Sequence, residues 1–157
     1  MNTINRKPTL NRQHQQDNLV HGSVAPNVPF LFSHDIRVKK ILVVDDSVVV
    51  RKVIVRALVA ENYQVFEAKD ADEAFNILET QRLDLVLLDI ILRGDKDGYD
   101  ILADIRQRPS LIGLPVIMLT SRDGLFDKLK GNLSQVNKYL TKPFKPDELL
   151  AVIKDYL

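Results

Sequence analysis

The stretch Ile41-Leu42-Val43-Val44-Asp45-Asp46-Ser47 sets four aliphatic residues directly before two adjacent carboxylates and a hydroxyl. The pattern returns as Leu85-Val86-Leu87-Leu88-Asp89 and again as Val116-Ile117-Met118-Leu119-Thr120-Ser121. Unbroken aliphatic runs of this length suit strands buried on both faces, as in a parallel sheet. Val65-Phe66-Glu67-Ala68 and Lys138-Tyr139-Leu140-Thr141 are weaker strand candidates.

Helical spacing fills the intervals. Ser47 to Ala60 places Val50, Val53, Ile54, Ala57 and Leu58 at helical spacing, with Ser47 as N-cap. Asp70 and Glu73 form a capping-box-like pair ahead of Ala74, Ile77 and Leu78. Tyr99 to Gln107 carries Ile101, Leu102 and Ile105, and Pro109 stops it. A fourth helix is expected from Leu125 to about Leu133, with Phe126 and Leu129 on its apolar side. The last starts near Pro146-Asp147 and runs to the end of the chain through Leu149, Leu150, Ile153, Tyr156 and Leu157. Strand and helix alternate five times. That predicts an α/β fold, a doubly wound five-stranded parallel sheet with five helices on its two faces.

Residues 1–35 fall outside this pattern. They are rich in Asn, Gln and Pro, show no sustained apolar period, and read as a flexible polar tail or linker ahead of a domain at 36–157. No apolar stretch of secretory-signal length follows the tail's basic residues. Val28-Pro29-Phe30-Leu31-Phe32 fits a linker touching the domain edge better than a docking peptide.

Composition narrows the chemistry. The 157 residues contain 22 Lys+Arg against 21 Asp+Glu, a net charge of +1 that makes no electrostatic case for a nucleic-acid partner. Apolar runs of four or five residues are far short of a membrane span, so a cytoplasmic protein without one is expected. The absence of Cys removes disulfides, thiolate metal sites and thiol nucleophiles, and suits a reducing compartment. All three His (His14, His21 and His34) lie in the tail, so the domain has no imidazole for acid–base or metal chemistry. Function must rest on carboxylates, Lys, hydroxyls or Tyr.

Those groups sit at strand ends. In doubly wound sheets, ligands bind at the carboxyl ends of the strands. Asp45, Asp46, Asp89 and Thr120 all fall there, and Lys142 follows the fifth strand, just before Pro143. Three carboxylates in one crevice repel unless a cation is present. A hard divalent ion resolves this, and Mg²⁺ favours carboxylates, waters and phosphate oxygens. A nearby Lys and hydroxyl could hold the remaining oxygens of a phosphoryl group, and one Asp could act as its nucleophile. The residues thus suggest Mg²⁺-assisted phosphoryl transfer onto an aspartate. Each Asp taken alone is also compatible with a helix cap or a turn.

From about Lys39 to Leu157 the chain resembles the receiver domain of bacterial two-component response regulators, a flavodoxin-like fold. The resemblance rests on Leu42-Val43-Val44-Asp45-Asp46-Ser47, Leu87-Leu88-Asp89, Leu119-Thr120-Ser121 and Tyr139-Leu140-Thr141-Lys142-Pro143-Phe144, in order and with family-like spacing. It implies that Asp89 is the phosphoacceptor. It implies a metal site of Asp45, Asp46, Asp89 and the backbone carbonyl of Ile91, taking Mg²⁺ or Mn²⁺. Lys142 and Thr120 would contact the phosphoryl group. Thr120 and Tyr139 would form the switch, and the Lys142–Pro143 bond would be a cis turn. Ile91 and Arg122 would flank the path of attacking water and slow phosphate loss. One departure stands out. Arg93 occupies a position where the family usually has Pro, and Asp97-Gly98 arrive one residue late, as if a residue had been inserted in Leu92–Gly98. Asp95-Lys96-Asp97-Gly98 is too short for a calcium loop and reads as a polar turn.

The implied function is that of a stand-alone response regulator. It would take its phosphoryl group from a sensor histidine kinase or phosphotransfer protein. It would then bind an unknown output protein through the face of the fourth helix, fifth strand and fifth helix (the α4-β5-α5 face of a five-helix receiver). It would be no enzyme beyond its own phosphorylation and dephosphorylation. The run Ser121–Gly131 resembles receivers of chemotaxis-like systems that control pili and twitching motility. A phosphorelay intermediate and a phosphorylation-independent adaptor are the alternatives. A haloacid-dehalogenase-like phosphatase is disfavoured, because its Asp-x-Asp hallmark is replaced here by an adjacent pair.

Overall fold

The structure, a computed structural model, describes residues 37–121 and 135–157. The N-terminal tail, the helix expected at Leu125–Leu133 and Arg122 lie outside the described residues.

Five strands form one parallel sheet: β1 (Lys40–Val44), β2 (Gln64–Ala68), β3 (Leu85–Asp89), β4 (Val116–Thr120) and β5 (Lys138–Thr141). Their order across the sheet is β2-β1-β3-β4-β5. Four helices are described: α1 (Val48–Ala60), α2 (Ala71–Thr80), α3 (Gly98–Gln107) and α4 (Pro146–Lys154). This is the doubly wound architecture expected from the sequence.

Alternation along the central strands builds two cores. Leu42, Val44, Val86, Leu88, Val116 and Met118 face one side, where they cluster with Ala74 and Leu78 of α2 and Ile101, Leu102 and Ile105 of α3. Ile41, Val43, Leu85, Leu87, Ile117 and Leu119 face the other, against Ile54 and Leu58 of α1 and Leu149 and Ile153 of α4. β3 and β4 are buried along their full length. Burying each such aliphatic side chain contributes about 1.5–3 kcal/mol. The strands carrying the weaker sequence signals, β2 and β5, are the two edges of the sheet and are only partly buried.

The helix ends follow local chemistry, with three refinements. Ser47 caps α1, its hydroxyl accepting the Val50 N–H. The buried stripe of α1 runs through Ile54 and Leu58 with Val50 beside it, and Val53 is 49% exposed rather than part of that face. Asp70 caps α2, but Glu73 closes back on the N–H of Lys69 instead of that of Asp70. A reciprocal capping box forms at α3 instead, between Asp97 and Asp100. The last helix ends at Lys154, and the Tyr156 hydroxyl then donates to the Asn137 carbonyl at 2.8 Å.

The β3–α3 connection runs from Ile90 to Asp97. Gly94 has a φ of 116°, a conformation open to glycine at little cost. Gly98 then returns the chain to the sheet, donating its N–H to the Ile90 carbonyl at 2.9 Å. A Cβ at Gly98 would lie 2.2 Å from the Asp89 carbonyl oxygen. Gly98 thus packs directly against the Asp89 backbone. Gly98→Ala should lower unfolding stability by about 1–3 kcal/mol in urea titrations, because backbone must move. Gly113→Ala, whose Cβ would meet nothing within 4 Å, should leave stability almost unchanged. Equal values for the two variants would show that the close approach is not tight.

Candidate functional site

The strand order reverses its direction of growth between β1 and β3, which opens a crevice at their carboxyl ends. Asp45 and Asp46 follow β1, and Asp89 ends β3. Each offers an oxygen within 4.8 Å of the others. Asp45 is fully buried and Asp89 is 7% exposed. The donor set is all oxygen, which fits a hard divalent cation and not a thiophilic metal.

The chain supplies its own cations here. Lys142, just after β5, places Nζ 2.6 Å from an Asp45 oxygen and 3.0 Å from an Asp89 oxygen. The other Asp45 oxygen accepts the Ser47 N–H at 2.8 Å, so both of its oxygens are engaged. Asp89 receives a weaker contact from the Ile91 N–H at 3.4 Å. Burial pushes the Asp89 carboxyl above the ordinary carboxylate range, the hydrogen bond and charge of Lys142 pull the other way, and Asp45 adds to the rise. For Lys142, burial alone would lower the pKa, but its bonds to Asp45 and Asp89 outweigh this and raise it. The two shifts agree once the distances are considered. Lys142 sits closer to Asp45, which leaves Asp89 undercompensated.

Thr120, at the end of β4, is almost fully buried, and its hydroxyl donates to the Ser121 carbonyl at 3.1 Å. The Lys142 N–H donates to the Thr120 carbonyl at 2.7 Å, tying the two residues through their backbones. A cavity of about 160 Å³ is lined by Asp46, Asp89, Ile90, Ile91, Thr120, Ser121 and Lys142. Tyr139 lies on β5 opposite Met118 and packs, half-buried, against the core beneath this edge. Ile91 is 59% exposed at the cavity rim. The Lys142–Pro143 peptide is cis. The structure thus gathers Asp45, Asp46, Asp89, Ile91, Thr120 and Lys142 at one crevice, with Tyr139 nearby on the neighbouring edge strand.

Two contributors have roles that no sequence signal announces. Arg51 of α1 donates to the Asp45 carbonyl at 2.6 Å and pairs with Glu67 at 3.3 Å, fixing the backbone of the acidic pair. In sequence it looks like any helix-surface cation. Arg93 reads in sequence only as a departure from the family pattern, yet its Nε lies 3.0 Å from an Asp46 oxygen. These partners are 47 residues apart, and no local pattern announces the contact.

An Asp with a raised folded-state pKa favours the protonated form. Its contribution to stability is therefore present below the unfolded carboxyl pKa and is lost as pH rises through the folded value. Without divalent metal, Asp89→Asn should raise the melting temperature by about 2–4 °C at pH 7. The gain should shrink as pH is lowered toward 4.5. A lower melting temperature for the variant at pH 7 would mean that the Lys142 pair outweighs the cost of burying the carboxylate.

Comparison with known proteins accounts for the arrangement. A model of the response regulator receiver domain matches residues 41–154. Protein PilG of Pseudomonas aeruginosa is 36% identical over 118 residues, covering 75% of this chain and 87% of PilG. The alkaline phosphatase synthesis transcriptional regulatory protein PhoP of Bacillus subtilis is 38% identical over 119 residues, 76% of this chain. The chain spans only about half the length of PhoP, with 48% covered. Among solved structures, the receiver domain of the sensor histidine kinase PA1611 from Pseudomonas aeruginosa superposes with a TM-score of 0.69 at 32% identity, covering 76% of this chain and 98% of that one. That structure has a magnesium ion coordinated in its active-site cleft. With a family match that runs over residues 41–154 and takes in the acidic crevice, this chain belongs to the response regulator receiver domains of two-component systems.

Proposed function

We propose that this protein is a phosphorylation-driven signalling switch, with Asp89 as phosphoacceptor and a sensor histidine kinase or phosphotransfer protein as donor. The observation that carries this reading is the shared crevice. Asp89 and Lys142 are in contact, and both line one cavity with Thr120 and Ser121. The cavity has the size and the polar groups to receive a phosphoryl group.

In this reading an Asp89 carboxylate oxygen attacks the phosphorus of a phosphohistidine. The new P–O bond forms as the P–N bond to the imidazole breaks. Asp45, Asp46, Asp89 and the Ile91 carbonyl would hold Mg²⁺, or Mn²⁺ in its place, which when bound offsets the charge of the carboxylates and of the phosphoryl oxygens. Lys142, already between Asp45 and Asp89, supplies a further positive charge beside the new acyl phosphate. An apolar groove of about 320 Å³ formed by Val49, Val50, Val53, Lys142, Pro143 and Phe144 shares Lys142 with the acceptor cavity and, in this reading, offers the donor protein a seat.

The switch follows from hydrogen-bond supply. The Thr120 hydroxyl is engaged with the Ser121 carbonyl, so turning it toward a phosphoryl oxygen is a change of partner. That turn would open space for Tyr139 and alter the face of β5 and α4, where an output protein would bind. The run Ser121–Gly131 supports a chemotaxis-like or pilus-directed output. Ile91 and Arg122 are proposed to slow hydrolysis by flanking the water path.

Incubation with acetyl phosphate and Mg²⁺, followed by intact-mass analysis, should give one phosphoryl group per chain. Asp89→Asn should give none. Lys142→Ala should slow labelling by roughly 100-fold. Thr120→Ala should be labelled but should lose phosphate-dependent partner capture. Wild-type protein that takes up no phosphoryl group would overturn the proposal in favour of a constitutive adaptor.

A further inference from the structure

Arg93 stands in the β3–α3 loop, and the fold aims it at the site. Its Nε lies 3.0 Å from an oxygen of Asp46, whose side chain is 25% exposed. Leu92 is buried in the core just before Arg93, and the loop is anchored again after it. Lys96 places its ammonium 4.5 Å from the Phe75 ring centroid, and Asp97 caps α3. Arg93 does not line the 160 Å³ cavity. It covers Asp46 from the solvent side, at 89% exposure of its own side chain.

The charges divide unevenly between the three carboxylates. Lys142 serves Asp45 and Asp89 from inside the crevice. Asp46 is served by Arg93 from outside. Asp45 already spends both oxygens, on Ser47 and Lys142. Asp46 is therefore the carboxylate most readily given to an incoming cation, and Arg93 is the group that must yield it.

We propose that Arg93 is a tethered competitor for the metal site: it pairs with Asp46 in the metal-free chain and must be displaced before a divalent cation loads. The proposal rests on the phosphoacceptor reading above. Its consequence is that Arg93 sets the Mg²⁺ concentration at which the crevice becomes competent. An exposed ion pair is worth little and is screened by salt, so the effect is a tuning of affinity and not a block.

Calorimetric titration of the full chain with Mg²⁺ tests this directly. Arg93→Ala and Arg93→Gln should each tighten the Mg²⁺ dissociation constant roughly two- to fivefold at low salt. Arg93→Lys should stay near wild type. Lys154→Ala removes the same charge at the far end of α4 and should change nothing. The gain should fade at about 0.5 M salt, where the Debye length is a few ångströms. Labelling by acetyl phosphate should be faster in Arg93→Ala at subsaturating Mg²⁺ and equal to wild type at saturation. Unchanged or weaker Mg²⁺ binding in Arg93→Ala, with wild type still labelled at Asp89, would overturn the competitor role and leave the phosphoacceptor reading intact. Wild type that binds no Mg²⁺ and takes no label would remove both.

Discussion

Lys142 reaches back across 97 residues of sequence to hold Asp45, and the same ammonium lies 3.0 Å from Asp89. Three carboxylates gathered where water is scarce repel one another, and the free energy of keeping them charged must be met by cations. The chain offers one from within, and Arg93 offers a second from the rim. Asp89 is buried and shares the Lys142 ammonium with Asp45, so its charge is only partly offset. The same imbalance makes the fold sensitive to any charge added at that point.

Placing these groups is the task of the sheet. β1 and β3 are neighbours in space but not in sequence, and the reversal between them creates the crevice. Two aliphatic layers, one on each face, fix the strands so that their ends cannot drift. Gly98 lets α3 begin directly against the Asp89 backbone. Arg51 holds the Asp45 carbonyl from the helix that follows. A rigid frame of this kind allows a small local event, such as a hydroxyl exchanging one acceptor for another, to be felt at the neighbouring edge strand.

Much of this was legible in the amino-acid order, for identifiable reasons. The buried strands announce themselves because both faces demand aliphatic side chains, and each run ends in a polar group only where it leaves the sheet. β2 and β5 read weakly because an edge strand needs burial on fewer sides. Asp45, Asp46, Asp89, Thr120 and Lys142 could be placed together once a parallel sheet was assumed, since strand ends share one edge. Long-range ion pairs were not legible. Nothing near Arg93 points to Asp46, and Arg51 is indistinguishable from a solvated helix cation until its carbonyl partner is seen. Helical spacing includes Val53 in the apolar set, and the structure exposes it, for a related reason. A helix with valines on several faces satisfies more than one apolar stripe, and packing chose the stripe through Ile54 and Leu58.

The account depends on Asp89, among the three clustered carboxylates, being the one that takes the phosphoryl group. An acyl phosphate is reduced by borohydride, which converts the aspartate that carried it to homoserine, whereas a free carboxylate is left alone. Tritiated borohydride treatment of phosphorylated protein, followed by peptide mapping, reads the position directly. Label confined to residue 89 is the expected result. Label at Asp45 or Asp46, or spread among the three, would contradict the account.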